Sequence, residues 1–404
     1  MENKKNNTGL KVLLTILIIL VVFTLCLVVM NSMGVLSFSS NTNDNKNNKY
    51  NENILDNTNT KINEELKNTI SYVTKTNGQV AELVAIQNNG AEIKILDLTD
   101  YYYGSGVIGD INYIYEDERL YFSLFSCNNG NGKCYDENNK HELGYIDLTN
   151  GNGNYELNIL TNLDGDNIKR VSQGFADYIA KIGDIIYFSN DNLYSYNINT
   201  KEITDMNISG NNRSIWLQNY NNSLIYNVFA DIYILDTEIN ESKLLLENAD
   251  ISYVYKNKLV YNTSPKNIND SYIPGSYYLY DLDNNKTKEL GNRVGISSIE
   301  YEYIVPFGDY YIYLNKDGVI THSDKGEILS CDTAENNSID FDCNKYSVWS
   351  LTKSGNNRII IKYTDKDEIN GNLEPISIEY NIDTGEILDK KDSSYNYLNI
   401  IYID

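Results

Sequence analysis

The chain is poor in the residues that most often carry chemistry. Of 404 residues only 2 are His, 2 are Trp and 4 are Pro. His141 and His322 stand alone, so no HExxH pair is available for a catalytic zinc, and the G-x-S-x-G elbow is absent as well. Basic charge is also short: 33 Lys and Arg against 56 Asp and Glu give a net charge of −23. So acidic a surface repels phosphate backbones, which argues against nucleic-acid partners and for solubility by self-repulsion. Carboxylates are spread along the whole chain, and none is singled out as an acid–base pair. No catalysis is expected, and no cofactor or metal is implied.

Cysteine is sparse too, with 5 in all. Cys26 lies in an apolar run. The others fall in close pairs, Cys127 with Cys134 in "CNNGNGKC" and Cys331 with Cys343 in "CDTAENNSIDFDC". Zinc favours CxxC-like spacing, which intervals of 6 and 11 residues do not supply. In an oxidising location the even number implies two local disulfides, with free thiols as the alternative.

The longest apolar run, itself without charge, Gly or Pro, is "VLLTILIILVVFTLCLVVM", residues 12–30. A helix of that length spans about 29 Å, close to the hydrocarbon thickness of a bilayer. Lys4, Lys5 and Lys11 precede it against Glu2, so residues 1–11 carry +2 and residues 31–404 carry −25. The positive-inside rule then expects a cytoplasmic tail at 1–11, a transmembrane helix at 12–30 and the remaining chain outside the plasma membrane. A cleaved signal peptide is the competing reading, but its apolar core is usually shorter, and no A-x-A follows. Residues 31–60 are Asn-rich and short of apolar groups, as expected of a disordered stalk. Residues 61–75 hold a short helix or a first strand, and the ectodomain proper is 76–404.

That ectodomain reads as alternating strands, rich in Tyr, which is present 36 times and fits a half-buried pleated surface. Polar turns precede aromatic strands in "DERLYFSLF" (117–125), "GDIIYFSN" (183–190), "NNSLIYNVF" (221–229), "NKLVYNTS" (257–264) and "GDYYIYLN" (308–315). Seven further strands end in polar turns. Aligned on Asp97, Asp147, Asn197, Asp236, Asp281, Ser323 and Asn381, they repeat at intervals of 50, 50, 39, 45, 42 and 58 residues. Such a period is that of four-stranded propeller blades. The expectation is an all-β fold, a seven-bladed β-propeller with six or eight blades as alternatives. The last strand, "YNYLNIIYID" (395–404), is expected to complete an N-terminal blade and close the ring.

The "LYFS", "IYFS" and "LVYN" strands, followed by "LY-Y-(D/N)" turns, resemble the bacterial propellers related to the low-density-lipoprotein-receptor propeller, including the DUF5050-like group. The resemblance covers about residues 80–404 and implies an extracytoplasmic interaction domain. The functional expectation is a membrane-anchored module that binds or scaffolds a protein or cell-surface glycan. Alternatives are a surface hydrolase or lyase using carboxylates at the channel mouth, and a sensor ectodomain with a membrane partner. The consecutive Tyr101, Tyr102 and Tyr103 of "DYYYGSG" are the candidate contact cluster, because Tyr buries area at small entropy cost. "DLDNN" (281–285) begins like a calcium loop but lacks its Gly and Glu, so a hairpin turn explains it.

Overall fold

The computed structural model describes residues 64–102, 107–128, 139–149, 154–163, 176–189, 191–210, 215–263, 266–268, 271–273, 275–292, 304–314, 319–330, 342, 344–366 and 373–403. These form seven four-stranded antiparallel sheets, one per blade. Blade one takes β1 (Thr69–Thr76), β2 (Ala81–Gln87), β3 (Glu92–Asp97) and the last strand of the chain, β30 (Asn396–Tyr402). Blade two is β4 (Val107–Glu116), β5 (Arg119–Asn128), β6 (Asn139–Asp147) and β7 (Asn158–Asn162). Blade three is β8 (Tyr178–Ile182), β9 (Ile185–Ser189), β10 (Asn192–Asn197) and β11 (Ile203–Ser209). Blade four is β12 (Leu217–Tyr220), β13 (Ser223–Val228), β14 (Asp231–Asp236) and β15 (Glu241–Glu247).

Blade five is β16 (Ala249–Tyr255), β17 (Lys258–Thr263), β20 (Ser276–Asp281) and β21 (Lys286–Asn292), with a hairpin of β18 (Lys266–Ile268) and β19 (Ser271–Ile273) inserted. Blade six is β22 (Ile304–Phe307), β23 (Tyr310–Leu314), β24 (Ile320–His322) and β25 (Gly326–Leu329). Blade seven is β26 (Tyr346–Gly355), β27 (Arg358–Asp365), β28 (Ile376–Asn381) and β29 (Ile387–Lys391). The chain is therefore a seven-bladed β-propeller. Its ring closes as the terminal strand implied: β30 pairs antiparallel with β1, Ser71 facing Tyr402 and Thr76 facing Asn396. Helix among the described residues amounts to one 3-10 turn, Glu64–Leu66, and one α-turn, α1 (Thr99–Tyr102). No described helix is long and apolar enough to cross a membrane, and residues 12–30 lie outside the described ones.

Period-2 alternation gives each sheet two apolar faces, one for each neighbour. In blade three, Phe188 and Tyr194 pack toward blade two with Tyr121 and Leu143, while Tyr187 and Leu193 pack toward blade four with Leu217 and Leu224. The innermost strands splay apart, too far for a continuous ladder, and carboxamides bridge them. Asn399 Nδ2 donates to Ile111 O at 2.6 Å, and Gln218 both donates to Val254 O (2.6 Å) and accepts from Val254 N (2.9 Å). Buried backbone groups are thereby satisfied between blades.

The turns explain the repeat in the sequence. In blades two to seven the last residue of the third strand accepts backbone N–H groups two or three positions on, which builds the turn into the fourth strand. Asp147, Asn197, Asp236, Asp281 and Asn381 do this through a side-chain oxygen at 2.9–3.4 Å. Asp97, aligned with them in the sequence, instead ends the fourth strand of blade one and accepts from Thr99 N at 3.0 Å where α1 begins. In blade six the anchor is His322, not Ser323: its Nδ1 accepts from Asp324 N (3.1 Å) and Lys325 N (3.3 Å). An imidazole Nδ1 sits as many bonds from the backbone as an Asn or Asp oxygen, so it can take the same place.

This gives a pH test. His322 is buried, its ring stacks on Tyr310 at 4.1 Å, and burial with Lys325 nearby holds it below its ordinary value, against the opposing pull of Asp324 and Asp383. The turn needs the neutral ring. Its contribution to stability is complete above the unfolded value of about 6.5 and is lost as pH falls through that value toward the lower folded one. Thermal melts should show His322→Asn holding stability better than the native chain between about pH 7 and 5. His322→Leu should lose about 1 kcal/mol above about pH 6.5, a deficit that shrinks as pH falls and the native ring gains its proton. Parallel pH profiles for the native chain and His322→Asn would reject this role.

Candidate functional site

Strands alternate in direction, so two kinds of connection leave each end of a blade. First-to-second and third-to-fourth strand turns share one face; second-to-third and blade-to-blade connections share the other. On the first face the six described first-to-second turns are all two residues long: 117–118, 183–184, 221–222, 256–257, 308–309 and 356–357. Five of them begin on a residue in the left-handed region, such as Gly183 (φ 56°) and Asn221 (φ 52°). The third-to-fourth turns run three to five residues, apart from 148–157 in blade two. The opposite face carries the connections 129–138, 163–177, 264–275, 293–303, 330–345 and 366–375, each 10 to 16 residues long. Short turns leave little room for variable side chains, so that room lies on the long-connection face.

Inner strands begin at that face, and those of blades two to four carry polar and aromatic groups near their starts. Asp110 on β4 accepts from Ala176 N at 2.9 Å, across the seam to blade three. Asn112, two residues on, donates to Ala176 O (3.2 Å) and Asp177 O (3.3 Å). Asp177 is itself buried, its N–H donating to Ser123 Oγ at 2.9 Å. Burial raises the Asp110 carboxyl, opposed by the N–H groups of Ala176 and Ile111 that stabilise its anion. Next around the ring, Tyr178 opens β8 and Trp216 immediately precedes β12, both half-buried against the seam clusters, with ring centres 6.5 Å apart. Trp216 is held by its N–H to Asn227 Oδ1 (2.8 Å) and by Asn227 N to its carbonyl (3.1 Å). Just beyond, Phe229 sits in the β13–β14 turn at φ 57° with 47% of its surface exposed, a backbone region that a bulky residue seldom occupies.

The histidines are not brought together. His141 is buried beside Phe125, ring centres 4.8 Å apart, at the long-connection end of blade two; His322 belongs to the opposite face in blade six. Among the described residues no group of three or more His, Cys, Asp or Glu could hold a metal ion. Tyr101 lies in α1, where its ring packs against the core between blades one and two. Tyr102 closes the same helical turn, and Tyr103 lies outside the described residues. Cys127 belongs to β5, its backbone opposite Ile108 and Asn139, whereas Cys134, Cys331 and Cys343 lie outside the described residues. Sequence reading passed over Asp110, Asp177, Tyr178, Trp216 and Phe229. One signal was present: an Asp inside an otherwise apolar strand, in "VIGDINYIY".

No family model matches the chain, and no curated protein matches it. Solved structures do. A quinonprotein alcohol dehydrogenase-like protein from Bacteroides thetaiotaomicron is similar over 83% of this chain and 78% of its own, with 12% identity and a TM-score of 0.50. A puromycin hydrolase is similar over 82% of this chain and 53% of its own, at 11% identity and TM-score 0.43. The computationally designed Ika8 protein is similar over 81% and 88%, at 12% identity and TM-score 0.40. At such identities the first likeness shows the propeller fold alone, and it agrees with the seven sheets counted above.

Proposed function

We propose that the chain is a membrane-tethered, extracytoplasmic binding module whose long-connection face takes a protein or cell-surface glycan. The observation that carries this reading is the unequal build of the two faces: tight turns on one, almost all the long connections on the other. Half-buried Tyr178 and Trp216 with exposed Phe229 offer flat apolar contact area there, and Asp110 and Asn112 add polar groups. The resemblance to the low-density-lipoprotein-receptor-related bacterial propellers supports an interaction role outside the membrane, as does the apolar run at 12–30 with its leading lysines. Disulfides Cys127–Cys134 and Cys331–Cys343 would staple two connections of the same face.

In-cell cross-linking followed by affinity capture tests the face. A Trp216→Ala, Phe229→Ala chain should lose its captured partner, at a cost of about 2 kcal/mol or more in affinity. An Asp309→Ser control in a tight turn should keep it. Capture that survives the first pair and fails in the control would place binding on the other face. Location is tested by protease shaving of intact cells: the ectodomain should be released, and its non-reduced digest should contain both linkages. A protected ectodomain with free thiols would overturn the topology.

One observation favours a second reading, a surface hydrolase. Asp110, its proton held more tightly than usual, lies against the segment that carries Asp177, as an acid beside a second carboxylate would. Turnover of a glycan or peptide library that Asp110→Asn abolishes, with folding intact, would select it over binding.

A further inference from the structure

The seven seams between blades are not packed alike. Six are filled by buried apolar clusters drawn from both neighbours. At the closing seam, between blades seven and one, the apolar cluster comes from blade one alone: Ile70, Val73, Val84 and Ile86, with Tyr397 and Ile400 against them. Blade seven answers with mainly polar groups. In the β27–β28 pair Lys362 stands opposite Ser377, and Ile360 opposite Glu379. All four project from the side that faces away from the core shared with blade six, where Ile359, Ile361 and Ile378 pack. Lys362 is 8% exposed and Glu379 4%, so an amine and a carboxyl are buried as diagonal neighbours within reach of long side chains.

Opposite them lies the first residue of the closing strand. Lys362 Nζ is 2.6 Å from Asn396 Oδ1 and 3.1 Å from Tyr395 O. Glu379 is fixed by Ser354 Oγ (2.9 Å) and Lys391 Nζ (3.2 Å). A primary amine against a primary carboxamide, with a carboxyl group diagonal to the amine on the neighbouring strand, is the arrangement for amide exchange. Holding the reactants together supplies the effective concentration that the uncatalysed reaction lacks.

We propose that Lys362 and Asn396 condense to an isopeptide bond that closes the propeller covalently. Neutral Nζ attacks Asn396 Cγ; the Nζ–Cγ bond forms, the Cγ–Nδ2 bond breaks, and Nδ2 departs as ammonia. Glu379 carries the proton lost by Nζ to the leaving nitrogen. The balance is amine plus carboxamide giving secondary amide plus ammonia, with no oxidant, metal or nucleotide required. Release of ammonia makes the step one-way. The blade built from both ends of the domain would then be tied to its neighbour by a bond that survives denaturation.

Intact mass of the denatured full chain, followed by a peptide map, tests this. The expected mass is one ammonia short of the sequence, with a branched peptide joining Lys362 to Asn396. Lys362→Met and Asn396→Ala should restore the full mass, and Asn396→Asp should lose one water instead. Glu379→Gln, folded by circular dichroism, should stay unlinked. A native mass equal to the sequence, with the two peptides separate, overturns the proposal and leaves a hydrogen bond. So does an ammonia loss that persists in Asn396→Ala, since ring closure of another Asn would explain it. A folded Glu379→Gln chain linked to completion overturns the role given to that carboxyl.

Discussion

Deleting residues 396–404 is expected to abolish the cooperative fold rather than weaken it. The segment supplies the innermost strand of blade one, paired with β1 from Thr76↔Asn396 to Ser71↔Tyr402. It also supplies the Asn399 bridge to Ile111 and the bond from Ile403 N to Ile70 O at 3.0 Å. Tyr397 and Ile400 cover the apolar face of blade one, and the Tyr397 hydroxyl donates to Glu92 at 2.8 Å. Without the strand, β1 becomes an unpaired edge and the face of blade seven loses its cover. Open edges pair with other chains, so aggregation should follow. Size-exclusion chromatography and thermal melts of the shortened chain check this. A peptide of residues 393–404 added in excess should recover a monomer with a sharp melt. A soluble, cooperatively melting chain without the segment would show that the ring does not depend on closure.

The second large effect is expected at Gly144. It stands in β6 opposite Phe122 of β5 and Ile159 of β7, and the Phe122 ring lies across the space where its side chain would be. A Cβ built there would lie 2.5 Å from Asn158 O and 2.9 Å from Phe122 Cε1. Neither can retreat easily: Phe122 is fully buried in the core between blades one and two, and Asn158 O is backbone. Gly144→Ala should cost about 2 kcal/mol and Gly144→Val about 3 kcal/mol or more, since overpacking forces side chains off rotamer and shifts backbone. Denaturant titration measures it. Gly144→Ala, Phe122→Leu should recover part of the loss by giving the new methyl room. A Gly144→Val chain as stable as the native one would mean that β6 and β7 are free to part.

Much of the architecture was legible because blades repeat and each must turn in the same way. The run "DYIAKIGDIIYFSNDNLYSYNINTKEITDM" (177–206) covers the four strands of blade three, from Tyr178 to within a turn of Ser209. The Asp and Asn anchors were readable from their recurrence alone, since few residues can cap a turn with their own side chain. His322 escaped because a search for oxygen overlooks a ring nitrogen in the same position. At the candidate site the reverse holds. Asp110 and Asp177 are separated by 66 intervening residues, Tyr178 and Trp216 by 37. No local pattern signals that the starts of separate strands lie at one face.

By itself the amino-acid sequence determined the elements, their pairing within blades and the terminal strand available for closure. These follow from alternation, turn chemistry and repeat length, all local in the chain. The tertiary structure alone decided which face is tight and which is open, which inner residues meet across a seam, and that Lys362 is buried against Asn396. Those depend on ring closure, which brings together residues far apart in sequence through packing that no short segment encodes.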